Sequence, residues 1–108
     1  MLTEKILMAT SVLATGALQR FRFANFAGAT AAATDPALGV PNTNYDIGEQ
    51  AGVSTHGEIL VEAGAAIALG AQVQPDAQGR AITLASGAAF GRARDAATAA
   101  GDLIRVQR

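Results

Sequence analysis

The stretch GEILVEAGAAIALGAQVQPDAQGRAITL, residues 57–84, carries the clearest structural signals in the chain. Ile59 and Val61 stand two residues apart, which places both side chains on one face of a strand. Pro75–Gly79 predicts a tight turn, because proline fixes φ in the range that a turn needs and glycine accepts a positive φ. Ala81–Leu84 predicts the strand that follows. Short strands joined by tight turns indicate β-structure.

The same pattern extends outward from this stretch. Leu18–Phe26 alternates, so that Phe21 and Phe23 share one face of a predicted strand. Together with Phe26 they are most simply explained as core. Turn residues recur at the short intervals typical of an all-β sandwich or barrel. Further strands are predicted at residues 48–55, 72–74, 88–94 and 102–107.

The domain organisation is simple, because 108 residues are too few for more than one domain. We predict an all-β fold, a small β-sandwich or β-barrel-like domain with short strands and tight glycine turns, over residues 18–108. An extended N-terminal arm is predicted over residues 1–17. Helical periodicity is not sustained anywhere, and the best short helical candidates are Glu4–Leu13 and Asp95–Ala100. The sequence shows no convincing internal repeat.

Composition excludes several classes of function. Hydrophobic residues make up 50% of the chain but aromatic residues only 5%, so the apolar side chains are mostly small. We expect them to need tight packing or burial against partner subunits. The formal net charge of −1 lacks the basic excess that nucleic-acid binding requires. No stretch approaches the about 20 apolar residues of a membrane span, so no membrane partner is expected.

His56 is the only histidine, and a catalytic site would have to form around it. Ser54 and Glu58 flank it at two-residue spacing, so the three side chains could share one strand face, as a small hydrolase would require. A solvent-facing histidine explains the same residues more simply. The chain has no cysteine, and its acidic residues lack metal-ligand spacing. We therefore predict no enzyme activity, no catalytic residues, no metal and no cofactor.

Three arginines offer a second candidate site. Arg92 and Arg94 stand two residues apart in a predicted strand, and Arg80 could approach them. Their guanidinium groups would then form an anion site. The sequence favours the simpler interpretation, in which these side chains line a solvated or interfacial strand face.

The second half of the chain resembles the small capsid cement, or head decoration, proteins of tailed bacteriophages. The resemblance is carried by VEAGAAIALGAQV at residues 61–73, by DAQGRA at 76–81 and by GRARDAATAAGDLIRV at 91–106. The shared features are the pattern V-E-A-G-x-x-I-x-x-G-x-x-V, a turn that ends in Gly-Arg, and a closing strand A-x-x-A-G-D-L-I-R-V. These motifs consist of turn glycines and core aliphatic residues, so they are specific in combination and carry no chemistry.

The resemblance implies a structural virion protein. Such a protein is made in the cytoplasm of the bacterial host and trimerises on the outer face of the assembled head. There it clamps neighbouring major capsid protein subunits against the pressure of packaged DNA. The expected partners are therefore the major capsid protein and two further copies of the same chain.

Two sets of contact residues can be predicted. The N-terminal arm is apolar and poor in glycine and has no clear partner within the chain, so we expect it to lie on the capsid and to add a strand to an exposed edge. Small residues in the 57–73 segment allow close approach and predict the trimer contact. The capsid set is Leu2, Ile6, Leu7 and Val12, and the trimer set is Ala65, Ile67, Ala68 and Leu69.

A binding module for a carbohydrate or a host surface is the alternative function. Modules of this kind usually display aromatic platforms to their ligands. This chain has no tryptophan, and Tyr45 is its only tyrosine. The composition therefore favours the structural virion protein.

Overall fold

The computed structural model describes residues 3–33 and 35–108. Its secondary structure is all-β, as predicted, and the strands join in one eight-stranded sheet. The sheet curls into a half-barrel, so neither the predicted sandwich nor the predicted barrel is confirmed. The strands are β1 (Lys5–Leu13), β2 (Ala24–Asn25), β3 (Ala37–Pro41), β4 (Gln50–Glu62), β5 (Gln72–Pro75), β6 (Ala81–Thr83), β7 (Gly91–Ala93) and β8 (Leu103–Gln107).

The long strand β4 organises the sheet. Its first half pairs with β1 and β3, and its second half pairs with β8. Beyond β8 the order continues through β7 and β5 to β6. The turn predicted at Pro75–Gly79 joins β5 to β6, and Gly79 has a φ of 77°. Within the described residues, no helix is long and apolar enough to cross a membrane.

Residues 5–13 depart from the sequence-based expectation. The sequence predicts an arm without a partner in the chain, and one of the two short helical candidates lies here. It is instead the nine-residue strand β1, which pairs antiparallel with β4. Thr10 and Val12 are β-branched, which favours a strand over a helix. The backbone groups of β1 also satisfy one edge of β4, which would otherwise be open.

The strand predicted over residues 18–26 is wrong. Phe21 has a φ of 70°, a left-handed conformation that interrupts any strand, and only the two residues of β2 form in this region. The three phenylalanines therefore do not form one stripe. Phe23 is fully buried, whereas Phe26 is 62% exposed.

The fold contains an internal repeat that the sequence did not reveal. Residues 5–54 form an N-terminal unit and residues 58–107 a C-terminal unit, which meet within β4. In the N-terminal unit β1 pairs with β4, and β3 pairs with both β4 and β2. In the C-terminal unit β4 pairs with β8, and β7 pairs with both β8 and β5 in the same arrangement. The registers correspond: Val12↔Ala51 matches Val61↔Ile104, Pro41↔Val53 matches Ala93↔Val106, and Ala24↔Gly39 matches Val73↔Gly91.

The loops of the two units correspond as well. Leu18 and Tyr45 exchange two backbone hydrogen bonds, and Ile67 and Ala97 exchange the same two bonds in the C-terminal unit. A glycine with positive φ precedes the last strand of each unit, Gly48 before β4 and Gly101 before β8. These two glycines donate to the carbonyl groups of the equivalent residues Ala14 and Ala63. The repeat therefore includes the turns and is not limited to the strands.

A bulge in β4 places the cores of the two units on opposite faces of the sheet. The pairings Ala9↔Ser54 and Met8↔His56 leave Thr55 as an extra residue of β4, and Leu7 is an extra residue of β1. An extra residue reverses the alternation of side chains along a strand. Each core contains the same eight positions. These are Val12, Ala14, Leu18, Ala24, Leu38, Tyr45, Ala51 and Val53 in one unit, and Val61, Ala63, Ile67, Val73, Phe90, Ala97, Ile104 and Val106 in the other.

Candidate functional site

The most exposed apolar element of the described chain is strand β1. Leu7 is 75% exposed and Ile6 is 38% exposed, so both residues of the predicted capsid set lie on the surface. Val12 is half-buried and packs against the N-terminal core, and Leu2 lies outside the described residues. Among the described residues, β1 has a paired strand on one side only, which is β4. The backbone N–H and C=O groups along the other edge of β1 pair with no strand of the described chain.

A groove of about 300 Å³ adjoins β1 on the face that carries the N-terminal core. Its apolar walls come from Met8, Phe26 and Leu38, and His56 and Arg108 stand at its rim. The guanidinium group of Arg108 donates to the carbonyl oxygen of Leu38 at 3.0 Å and lies 4.6 Å from the centre of the Phe90 ring. No pattern in the sequence indicates this groove, because its lining residues come from five separate segments of the chain.

The candidate hydrolase residues do not assemble. The extra residue Thr55 turns Ser54 and His56 toward opposite faces of β4, so the two-residue spacing does not bring them together. The His56 imidazole instead contacts the Thr55 hydroxyl at 3.1 Å, and that hydroxyl donates to the carbonyl oxygen of Met8. Ser54 is buried, with 7% of its surface exposed.

The three arginines have separate partners, so the predicted alternative of an anion site is not formed. Arg94 pairs with Glu58 at 3.3 Å, and Arg92 donates to the carbonyl oxygen of Gly70. Arg80 pairs with Asp76 and reaches Glu62 at 3.9 Å. These contacts favour the interpretation of a solvated strand face.

The shortest ion pair of the described residues joins Asp95 and Arg105. The Arg105 side chain donates from Nε to Oδ2 at 2.8 Å and from Nη2 to Oδ1 at 2.9 Å, and its backbone N–H also donates to Oδ2. These bonds lower the pKa of Asp95 to about 2. Thr98 donates to Asp102 from both its backbone and its hydroxyl, which lowers the pKa of that carboxyl group. Both carboxylates hold loops of the C-terminal unit.

The predicted trimer residues occupy one loop of the C-terminal unit but not one surface. Ala65 and Ala68 are exposed, and Leu69 is 68% exposed. Ile67 is 2% exposed and belongs to the core of its own subunit. In the part of the chain that the structure describes, no group of three or more histidine, aspartate or glutamate residues could hold a metal ion.

Comparison with known proteins finds a similar solved structure and a matching family. The fold is similar to the crystal structure of the N base of the head fibre gp8.5 in bacteriophage phi29, with a TM-score of 0.75. The two are 19% identical, and the match covers 92% of this chain and 91% of that one. A search of curated proteins finds no match. The family model described as phage cement protein matches residues 3–108. The chain therefore belongs to the phage cement protein family, whose members have a structural role in the phage capsid.

Proposed function

We propose that the protein binds the outer surface of the assembled phage capsid as a homotrimer and stabilises the head against the pressure of packaged DNA. The major capsid protein is the proposed partner. The observation that carries the proposal is strand β1, which presents an open backbone edge and exposed apolar side chains together. Membership of the cement family supports the same function.

The stabilisation follows from linkage. A protein that binds the assembled lattice better than its free subunits shifts the equilibrium toward the lattice by mass action. Each contact can be weak, because a trimer engages three sites and the second and third bind at a high effective concentration. No catalytic group is required for this function.

The contact with the capsid uses the free edge of β1. An extended segment of a capsid subunit pairs with this edge, and the main-chain hydrogen bonds supply affinity while side chains supply specificity. Ile6 and Leu7 then pack against the capsid surface. Removing the whole strand would be a poor test, because β1 also satisfies one edge of β4. A substitution at an exposed position is cleaner.

Leu7→Asp tests the capsid contact, because this side chain is 75% exposed and bulged out of the ladder. Ile47→Asp is the matched control, a residue 71% exposed on the loop before β4. Both proteins are mixed with empty heads of the same phage and sedimented. We expect Leu7→Asp to lose at least tenfold in affinity and Ile47→Asp to bind as the wild type. Equal binding of the two variants would exclude β1 as the contact.

The trimer contact is proposed at the exposed residues Ala65, Ala68 and Leu69. Small residues at this loop allow two backbones to approach closely, and an arginine would prevent that approach. Ala68→Arg is therefore expected to give monomers, with a third of the wild-type mass by light scattering. Ile47→Arg is the control and is expected to remain trimeric. A trimer of unchanged mass in Ala68→Arg would place the interface elsewhere.

A further inference from the structure

We infer that the groove lined by Met8, Phe26 and Leu38 binds one aromatic side chain of the capsid partner, presented by an extended segment with a neighbouring carboxylate. This inference deepens the proposed function and rests on it, since it assigns the chemistry of the partner. The groove lies beside β1, so a segment that pairs with the free edge of β1 is close to the groove.

The internal repeat identifies the kind of side chain. Leu38 is equivalent to Phe90 of the C-terminal unit. Phe90 is 4% exposed because Phe23 lies against it, with ring centres 4.8 Å apart. Phe23 reaches this place from the other unit, held by hydrogen bonds to Gly79 and Ala31. The C-terminal core is thus completed by an aromatic ring that arrives from outside its own unit.

The N-terminal unit has no such ring over Leu38 among the described residues. Leu38 is only partly buried, and the groove beside it is open between Phe26, 62% exposed, and Met8, 55% exposed. Exposed aromatic and methionine side chains around a concavity are typical of a contact that excludes water on binding.

The positive charge of Arg108 at the rim specifies what flanks the aromatic ring. Arg108 and His56 line the groove, and none of its described lining residues is acidic. The bond from Arg108 to the Leu38 carbonyl and the contact with the Phe90 ring hold the guanidinium group at this rim. A carboxylate beside the incoming ring would accept a charge-assisted hydrogen bond there. The groove therefore matches an aromatic residue next to an aspartate or glutamate.

Phe26→Asp tests the groove, since it removes an apolar wall and adds a repelling charge without touching the core. Met8→Asp is a second variant at the opposite wall, and Ile47→Asp is the control. Each is titrated against empty heads after its fold has been checked by thermal unfolding. We expect both groove variants to lose at least tenfold in affinity while the control binds as the wild type.

The outcomes separate the inference from the function on which it rests. Wild-type protein that does not sediment with heads overturns both. Wild-type binding with unchanged binding of Phe26→Asp and Met8→Asp overturns the groove alone. In a separate measurement, a photo-crosslinking residue at position 26 identifies the occupant of the groove. Crosslinks to a capsid segment with an aromatic residue beside an acidic one support the inference, and crosslinks to a second copy of this chain overturn it.

Discussion

The two units follow one backbone plan but complete their cores differently. Val61 and Ile104 are fully or almost fully buried in the C-terminal unit. Their counterparts in the N-terminal unit are the half-buried Val12 and the small Ala51. The shared strands and loops therefore do not determine how well a unit is filled. The C-terminal core is closed, whereas the N-terminal unit keeps Leu7, Met8 and Phe26 exposed.

A single backbone N–H illustrates the same difference. Gly52 and Arg105 are equivalent residues, and each donates its N–H to a side chain from the preceding loop. In the N-terminal unit the acceptor is the hydroxyl of Tyr45, which itself bonds to Asn42 at 2.6 Å. In the C-terminal unit it is the carboxylate of Asp95. The equivalent N–H group is therefore satisfied by a neutral hydrogen-bond network in the N-terminal unit and by an ion pair in the C-terminal unit.

The largest expected effect comes from removing the ring that completes the C-terminal core. Phe23→Ala deletes a fully buried side chain and leaves a cavity beside Phe90. We expect the free energy of unfolding to fall by about 3–5 kcal/mol. The matched variant Leu38→Ala removes a partly buried side chain from the open core and is expected to cost less than about 2 kcal/mol. Denaturant unfolding measures both, and equal losses would contradict the contrast between the cores.

An intermediate effect tests the repeat itself. A Cβ atom at Gly39 would collide with the carbonyl oxygen of Ser54, and one at Gly91 with that of Gln107, the equivalent residue. Gly39→Ala and Gly91→Ala are therefore expected to lose similar amounts of stability, about 1–3 kcal/mol each. Gly16→Ala is the control, because its Cβ would have ordinary space and its φ is not positive. A loss in only one of the two variants would show that the units are not equivalent at this position.

Local patterns in the sequence predicted much of the C-terminal unit and little of the N-terminal one. The alternation of Ile104 and Val106 and the turn at Pro75–Gly79 are local signals, and the structure confirms both. The bulge at Thr55 leaves no such trace, because it depends on the partner strand. The groove depends on that bulge, because Thr55 and His56 line it.

The sequence does not reveal the repeat, for a related physical reason. Its conserved content is a pattern of hydrogen bonds, and a backbone bond accepts almost any residue. Among the eight pairs of core positions, equivalent side chains differ in size, as Ala24 does from Val73 and Tyr45 from Ala97. Glycines recur at two pairs of equivalent positions, Gly39 with Gly91, which approach a carbonyl oxygen closely, and Gly48 with Gly101, which have positive φ. Two such matches are too few to indicate a repeat in the sequence.

The smallest expected effect is on the pH dependence of stability, which distinguishes the Asp95 carboxylate from the Tyr45 hydroxyl as acceptors. Hydrogen bonds from Arg105 lower the pKa of folded Asp95 to about 2, below the value of 3.8 that it takes when unfolded. Because the folded pKa is lowered, this contribution to stability is present above about pH 4 and is lost as the pH falls toward 2. We expect it to be about 1 kcal/mol, since solvent screens a pair that is partly exposed.

Asp95→Asn removes the carboxylate, so its unfolding free energy should depend less steeply on pH between 4 and 2 than that of the wild type. Tyr45→Phe removes the neutral acceptor and should lower stability by a similar amount at every pH in this range. Parallel pH profiles for wild type and Asp95→Asn would contradict the assignment of the ion pair to the C-terminal unit's stability.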